Sequence, residues 1–468
     1  MVFSSLTFIY FFLPVVLIAY YIAPKKAKNM VLLISGIWFY AWGEPIYIFV
    51  MLLSATIDYV AGLLLHKYDR NPKIRFLCLI VSLCMNLGLL GIFKYSSLFI
   101  GTMNDLFGLS LTDPELPLPI GISFYTFQSM SYTIDMYMRN IKVQKNPVSF
   151  LCYVTLFPQI VAGPIVRYED VANELDQRTV TVSGIGEGVG MFARGLGKKI
   201  LLANNIGLLW TTIKAMPADS LPVLTAWLGI LAFTFQIYFD FSGYSDMAVG
   251  MGKMLGFNFP ENFRFPYMSR SISEFWRRWH ITLGTWFRLY VYIPLGGNRK
   301  GAARTVLNLL IVWTLTGFWH GASWNFLLWG LYFGVIIVIE RLFLGKILEK
   351  LPAPVSMLYS FLLVVFGWVL FEFDQLPNAF AYLGAMFGTP RNGFLNPESL
   401  SFLSNYWFLF VVCIIGSTNF PKRIANRLLA KFPRLLGYAP PVYELLLILL
   451  STAYLVNATY NPFLYFRF

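Results

Sequence analysis

From beginning to end the chain alternates between apolar runs and short, mostly basic connections. Many of the runs approach the ~20 residues an α-helix needs to cross a hydrocarbon core. The first, Leu6 to Ala23, has no basic residue before it and Lys25, Lys26 and Lys28 after it. That flank is wrong for a cleaved signal peptide and predicts a retained span with the N-terminus outside. Further spans are expected at 30–42, 46–65, 76–93 and 118–138. Lys67, Arg70, Lys73 and Arg75 mark an inner loop, Asp105, Asp113 and Glu115 an outer one, and Arg139, Lys142 and Lys145 an inner one again.

The middle of the chain is less regular. Residues 146–166 end in PQIVAGP, which suits a broken or re-entrant helix surrounded by protein or lining a water-filled cavity. Spans follow near 186–213 and 221–251. The charge-free run from Thr305 to Ile339 is too long for one upright helix, reaching roughly 50 Å against a ~30 Å core. A break is easiest beside Gly317 and Gly321. Later spans are expected at 355–372, 377–388, 405–418 and 441–458, with a strongly inner loop at Lys422, Arg423, Arg427, Lys431 and Arg434. The C-terminus is then expected outside.

Composition settles the class. Hydrophobic residues make up 57% of the 468 and charged ones 13%, about half the share of a soluble protein. The reading is an all-α polytopic membrane protein of about eleven transmembrane helices, one domain over 1–468, with re-entrant or interfacial pieces. The net charge of +13 sits in short loops, which points to anionic lipid or an anionic cytosolic substrate rather than nucleic acid. Cys78, Cys84, Cys152 and Cys413 lack metal-ligand spacing, and three histidines make a zinc site improbable.

His320 is the one readily titratable side chain in the 305–339 run. Desolvation keeps an imidazole there neutral, as a general base must be, while a structural histidine bonded between helices is the plainer alternative. Residues 264–304 carry eight cations, among them Arg277, Arg278 and Arg288, one acid (Glu274) and three tryptophans. Such a segment reads as an amphipathic or re-entrant helix at the inner interface. In one reading Arg277 and Arg278 clamp phosphates while Trp276 and Trp279 anchor at headgroup depth; in the other the segment is a positive-inside anchor without a ligand. His280, inside it, is ambiguous alone. Asp240 and Asp246 close the charge-free stretch from Ser220 to Phe239, and structural pairing with the 264–304 arginines is expected of them rather than catalysis.

Taken together these segments resemble the membrane-bound O-acyltransferase family, in the branch that acetylates alginate, related polysaccharides and peptidoglycan. The motifs are FSSLTFIYFFLPVVLIAYY, PIGISFYTFQSMSYTID, FPQIVAGPI, QIYFDFSGYSDMAVGMGKMLGF, SISEFWRRWHITLGTWFRLYVYIPLGGNRKG and TGFWHGASWNFLLWG, spread over essentially the whole chain. The resemblance implies a ring of helices around a central funnel, with His320 of FWHG catalytic and His280 of FWRRWH the second family histidine. It implies acetyl-CoA as cytosolic donor, no bound cofactor or metal, and outward passage of acetyl to a cell-surface or secreted polysaccharide. An extracytoplasmic partner resembling SGNH hydrolases and a bacterial inner-membrane location are expected with it. D-alanyl transfer to teichoic acid from a carrier-protein thioester is the alternative within the superfamily; a transporter or flippase is the non-enzymatic one. Asn325, Ser323 or backbone N–H groups are candidates to hold an oxyanion. In the tail, residues 460–468, Tyr465 is a candidate acyl relay or docking point for the outer partner, against a plain aromatic interface belt.

Overall fold

The computed structural model describes all residues except 162, 390–391, 434–436, 458–459, 462–463 and 465–468. Among the described residues regular structure is helical, and eight helices are long and apolar enough to cross a membrane. A shorter apolar stretch, Phe8–Ile22, precedes them. The protein is therefore an all-α, multi-pass membrane protein. Its packing gathers into two compact units, Met1–Phe192 with Tyr244–Glu261, and Ala193–Gly243 with Asn262–Phe468.

In the first unit, Ile48–Lys67, Pro72–Leu90 and Ile122–Met138 pack on one another. Ile122–Met138 is buried along nearly its whole length, which explains its many hydroxyl and amide side chains: they face protein rather than lipid. Asp58, fully buried, accepts hydrogen bonds from Ser82 Oγ (2.5 Å), Thr133 Oγ1 (2.8 Å) and Asn86 Nδ2 (3.1 Å). A carboxylate at that depth is tolerated because its oxygens are satisfied. Arg75 donates to the carbonyls of Leu65 (3.0 Å), Met136 (3.0 Å) and Tyr137 (2.7 Å) and to Asp69 (2.6 Å), so the two basic loops expected on one side lie together. The helix from Pro72 does not stop at 93 but continues through a π-turn to Phe107, taking Asp105 out of the expected loop. The expected irregularity at 146–166 takes the form of two short helices, Pro147–Thr155 and Phe157–Ile160, the first capped by Asn146.

The second unit holds the long charge-free run as a helical hairpin. Ala302–His320 ends at the histidine, residues 321–323 turn, and Trp324–Ile339 runs back. The break that length demanded falls at Gly321, one of the two glycines where it was expected to be easiest. The two arms touch at glycines: a Cβ on Gly317 would lie 2.2 Å from the Phe326 carbonyl oxygen, and one on Gly330 2.3 Å from that of Trp313. Gly321 has extended backbone that any residue adopts, so its requirement is space, a Cβ there meeting the Phe326 ring at 2.1 Å. The 33-residue helix Val223–Leu255 contributes its first part to this unit.

Candidate functional site

His320 is 3% exposed at the C-terminal end of its helix. Three aromatic rings enclose it edge-on: Trp319 at 4.9 Å, Trp329 at 4.9 Å and Phe371 at 5.4 Å between centroids. Trp319 also lies 6.1 Å from the ring of His280, so one indole stands beside both imidazoles. Two of the three histidines, forty residues apart in sequence, are thus buried against one aromatic cluster.

The segment that delivers His280 is built from short pieces. Ile272–Trp276 is one helix and Ile281–Phe287 another, with the histidine as N-cap between them in left-handed backbone, φ 45° and ψ 54°. A non-glycine residue rarely sits there without being held. The holding comes from the irregular stretch at 262–264: Arg264 N–H donates to the Arg278 carbonyl (2.9 Å) and Ile281 N–H to the Asn262 carbonyl (3.0 Å). Asn262 Oδ1 also accepts from Thr282 N–H (3.2 Å) and Thr282 Oγ1 (2.9 Å) and lies 3.1 Å from His280 Nδ1. Burial pushes the His280 imidazole down to about 3, so it is neutral at physiological pH.

Glu340 fixes the other end. Its carboxylate, 5% exposed, accepts from Ile272 N–H (2.6 Å), Ser273 N–H (2.8 Å), Ser273 Oγ (2.7 Å) and Tyr359 OH (3.3 Å). It satisfies N–H groups that the start of a helix leaves open, and its charge suits that helix end. Ser271 adds the ordinary cap to Glu274 N–H (3.0 Å). The sequence reading passed over both Glu340 and Asn262; the one available signal for Glu340 was an acid closing the charge-free run.

The tryptophans of this segment are not headgroup anchors. Trp279 is 2% exposed, stacks on Phe275 and meets Phe263 edge-on and Trp368 at a tilt, while Trp276 packs on Trp313 and Phe333. Tight aromatic packing, rather than an interface, takes them inward. The cations separate from them: Arg277 and Arg288 are exposed, whereas Arg278 is half-buried and paired with Glu274. Arg264, Arg270, Arg299, Lys300 and Arg304 are exposed too, leaving a basic surface over an aromatic interior.

Asn325 and Ser323 stand three to five residues past His320, but the Asn325 amide donates to the Phe373 (2.8 Å) and Leu370 (3.5 Å) carbonyls, and Ser323 Oγ donates to Asn325 Oδ1. Those bonds tie the hairpin turn to the end of Ala353–Glu372. Asp240 pairs with Lys199 at 2.6 Å, both buried, and not with the 264–304 arginines expected for it. Lys199 reaches it from the helical stretch Lys198–Ala203, whereas Arg264, Arg270, Arg277, Arg288, Arg299 and Arg304 are exposed and Arg278 pairs with Glu274. Asp240 Oδ2 further accepts the Leu464 N–H (3.0 Å). Asp246 lies half-buried, six residues further along the same helix. Of the tail, Tyr460 OH bonds Thr211 Oγ1 (3.1 Å) and Gln236 Nε2 (3.3 Å), and Asn461 bonds Asn204 (3.2 Å); Tyr465 lies outside the described residues.

Comparison with known proteins identifies the family of the chain. Residues 121–371 match the model of the membrane-bound O-acyltransferase family. The chain is 36% identical to the probable alginate O-acetylase AlgI of Pseudomonas aeruginosa and 38% identical to that of Pseudomonas putida, each over 100% of both chains. It is 34% identical to the peptidoglycan O-acetyltransferase of Helicobacter pylori over 86% of this chain and 82% of that one.

Proposed function

Because this chain belongs to the membrane-bound O-acyltransferase family, we propose that its O-acyltransferase chemistry takes acetyl from cytosolic acetyl-CoA at His320 and His280. The acetyl group passes across the bacterial membrane to a cell-surface or secreted polysaccharide of the alginate type. The observation that carries this reading is the pair of buried imidazoles around Trp319, one at a helix break and one in backbone held by its neighbours.

The chemistry asked of them is modest. A neutral imidazole at His320 accepts the proton of an acceptor hydroxyl as its oxygen attacks the thioester carbonyl. The oxygen–carbon bond forms, the carbon–sulfur bond breaks, and the thiolate leaves with the proton returned by an imidazolium. Backbone N–H groups at the 321–323 turn are nearer to hand for the oxyanion than Asn325, whose amide is engaged with carbonyls. Arg277 and Arg288, exposed on the segment that carries His280, receive the phosphates of coenzyme A, with Arg278 already sharing its charge with Glu274. In this reading the basic surface faces the cytosol and both termini lie outside.

The acceptor hydroxyl is either that of the polysaccharide system directly or Tyr465 as a relay, from which an SGNH hydrolase-like extracytoplasmic partner takes the acetyl group. Tyr465→Phe separates the two: the relay requires loss of polymer acetylation, and unchanged acetylation removes it. Offering acetyl-CoA beside a D-alanyl carrier-protein thioester tests the donor. Turnover of the carrier thioester alone would move the protein to teichoic acid D-alanylation.

A further inference from the structure

Resting on the reading of His280 as a working imidazole, we propose that Asn262 is its positioning residue, holding the ring as the Nδ1–H tautomer and placing the basic lone pair on Nε2. The inference follows from donor logic. A backbone N–H only donates, so the Asn262 side-chain atom that receives Thr282 N–H at 3.2 Å is the amide oxygen, not the nitrogen. That same oxygen lies 3.1 Å from His280 Nδ1. Two acceptors do not share a hydrogen bond, so Nδ1 carries the proton.

The contact is deeply built. Asn262 and His280 are each 2% exposed, and Asn262 grips the histidine at main chain and ring together, through Ile281 N–H on its carbonyl and Nδ1–H on its side chain. Thr282 Oγ1, at 2.9 Å, fixes the amide plane from a third direction. The ring is also bounded by Phe241 at 4.8 Å, edge to face, and by Trp319. An amide rather than a carboxylate at 262 matters here. A carboxylate would hold the ring by the same geometry while stabilising the imidazolium, which has no lone pair to offer. Asn262 orients the imidazole and leaves it neutral.

The test uses the full chain in lipid bilayers with 15N-labelled histidine, read by solid-state NMR at neutral pH. Three histidines give three sets of ring signals, and His280→Gln identifies the one that matters. The expected spectrum has Nδ1 protonated and Nε2 bare. Asn262→Asp, close to isosteric, should protonate both nitrogens and lower kcat for acyl transfer by roughly tenfold or more, within what general acid–base groups contribute, while KM for acetyl-CoA changes less. A wild-type ring protonated on Nε2, or an Asn262→Asp ring that stays neutral with kcat intact, overturns the proposal. Full acyl transfer by His280→Gln would instead overturn the functional reading of His280, and the wild-type spectrum would still report whether Asn262 sets the tautomer.

Discussion

Replacing Glu340 tests how the histidine-bearing segment is held. Ile272–Trp276 is a five-residue helix, far below the length at which a helix is stable by itself. Its first two N–H groups end on the Glu340 carboxylate, sixty-eight and sixty-seven residues away, together with Ser273 Oγ. Hydrogen bonds to a charged group contribute about 1.5–3 kcal/mol each, and a buried N–H left without an acceptor costs about 1–3 kcal/mol. Glu340→Ala removes three close bonds and strands two donors, with water entering to recover part, so a loss of about 3–5 kcal/mol is expected. Glu340→Gln keeps the shape and one acceptor oxygen, and should lose roughly 1–2 kcal/mol. Thermal unfolding of purified protein in detergent should rank wild type above Gln above Ala, and acyl transfer should follow the same order because His280 rides on the loosened segment. An alanine variant as stable and as active as wild type would refute the reasoning.

Three further outcomes follow. Gly330→Val puts a side chain against the Trp313 carbonyl, a backbone atom that cannot step aside, so the hairpin must splay at a cost of about 1–3 kcal/mol or more, and a lowered unfolding temperature with impaired turnover is expected. Asp240→Ala strands the buried Lys199 ammonium and should destabilise by about 3–5 kcal/mol, much of it recovered in the Lys199→Met/Asp240→Leu double variant; equal damage in both would deny the pairing. Arg277→Glu with Arg288→Glu should raise KM for acetyl-CoA about tenfold at low salt and less at high salt, with kcat changed little; a KM that ignores the substitutions removes the phosphate role.

The membrane architecture was legible because apolar runs and flanking charges are local signals. The need for a hairpin break was legible from length, since 35 residues outrun a bilayer, and its place after His320 from the flanking glycines. What stayed hidden was pairing over distance. Nothing near Asp240 announces Lys199, forty-one residues earlier in an ordinary-looking basic helix, and nothing in ENFRF marks Asn262 as the partner of His280. Trp276 and Trp279 misled for a related reason. Tryptophan between arginines reads as an interface residue, yet here Arg277 is exposed and Arg278 pairs with Glu274 while the indoles join Trp313, Trp329 and Trp368 inside. The glycines around His320 were visible, but their task is contact between helix arms, which only the packing reveals.

Acyl transfer from acetyl-CoA at His320 is read by the release of free thiol. Wild-type protein and His320→Ala would be compared in nanodiscs, with acetyl-CoA supplied and the proposed extracytoplasmic partner present or absent. Release by the wild type that falls at least a hundredfold in the variant, with unfolding temperature preserved, is the result predicted. Equal release by the two proteins would contradict it and take His320 out of the mechanism.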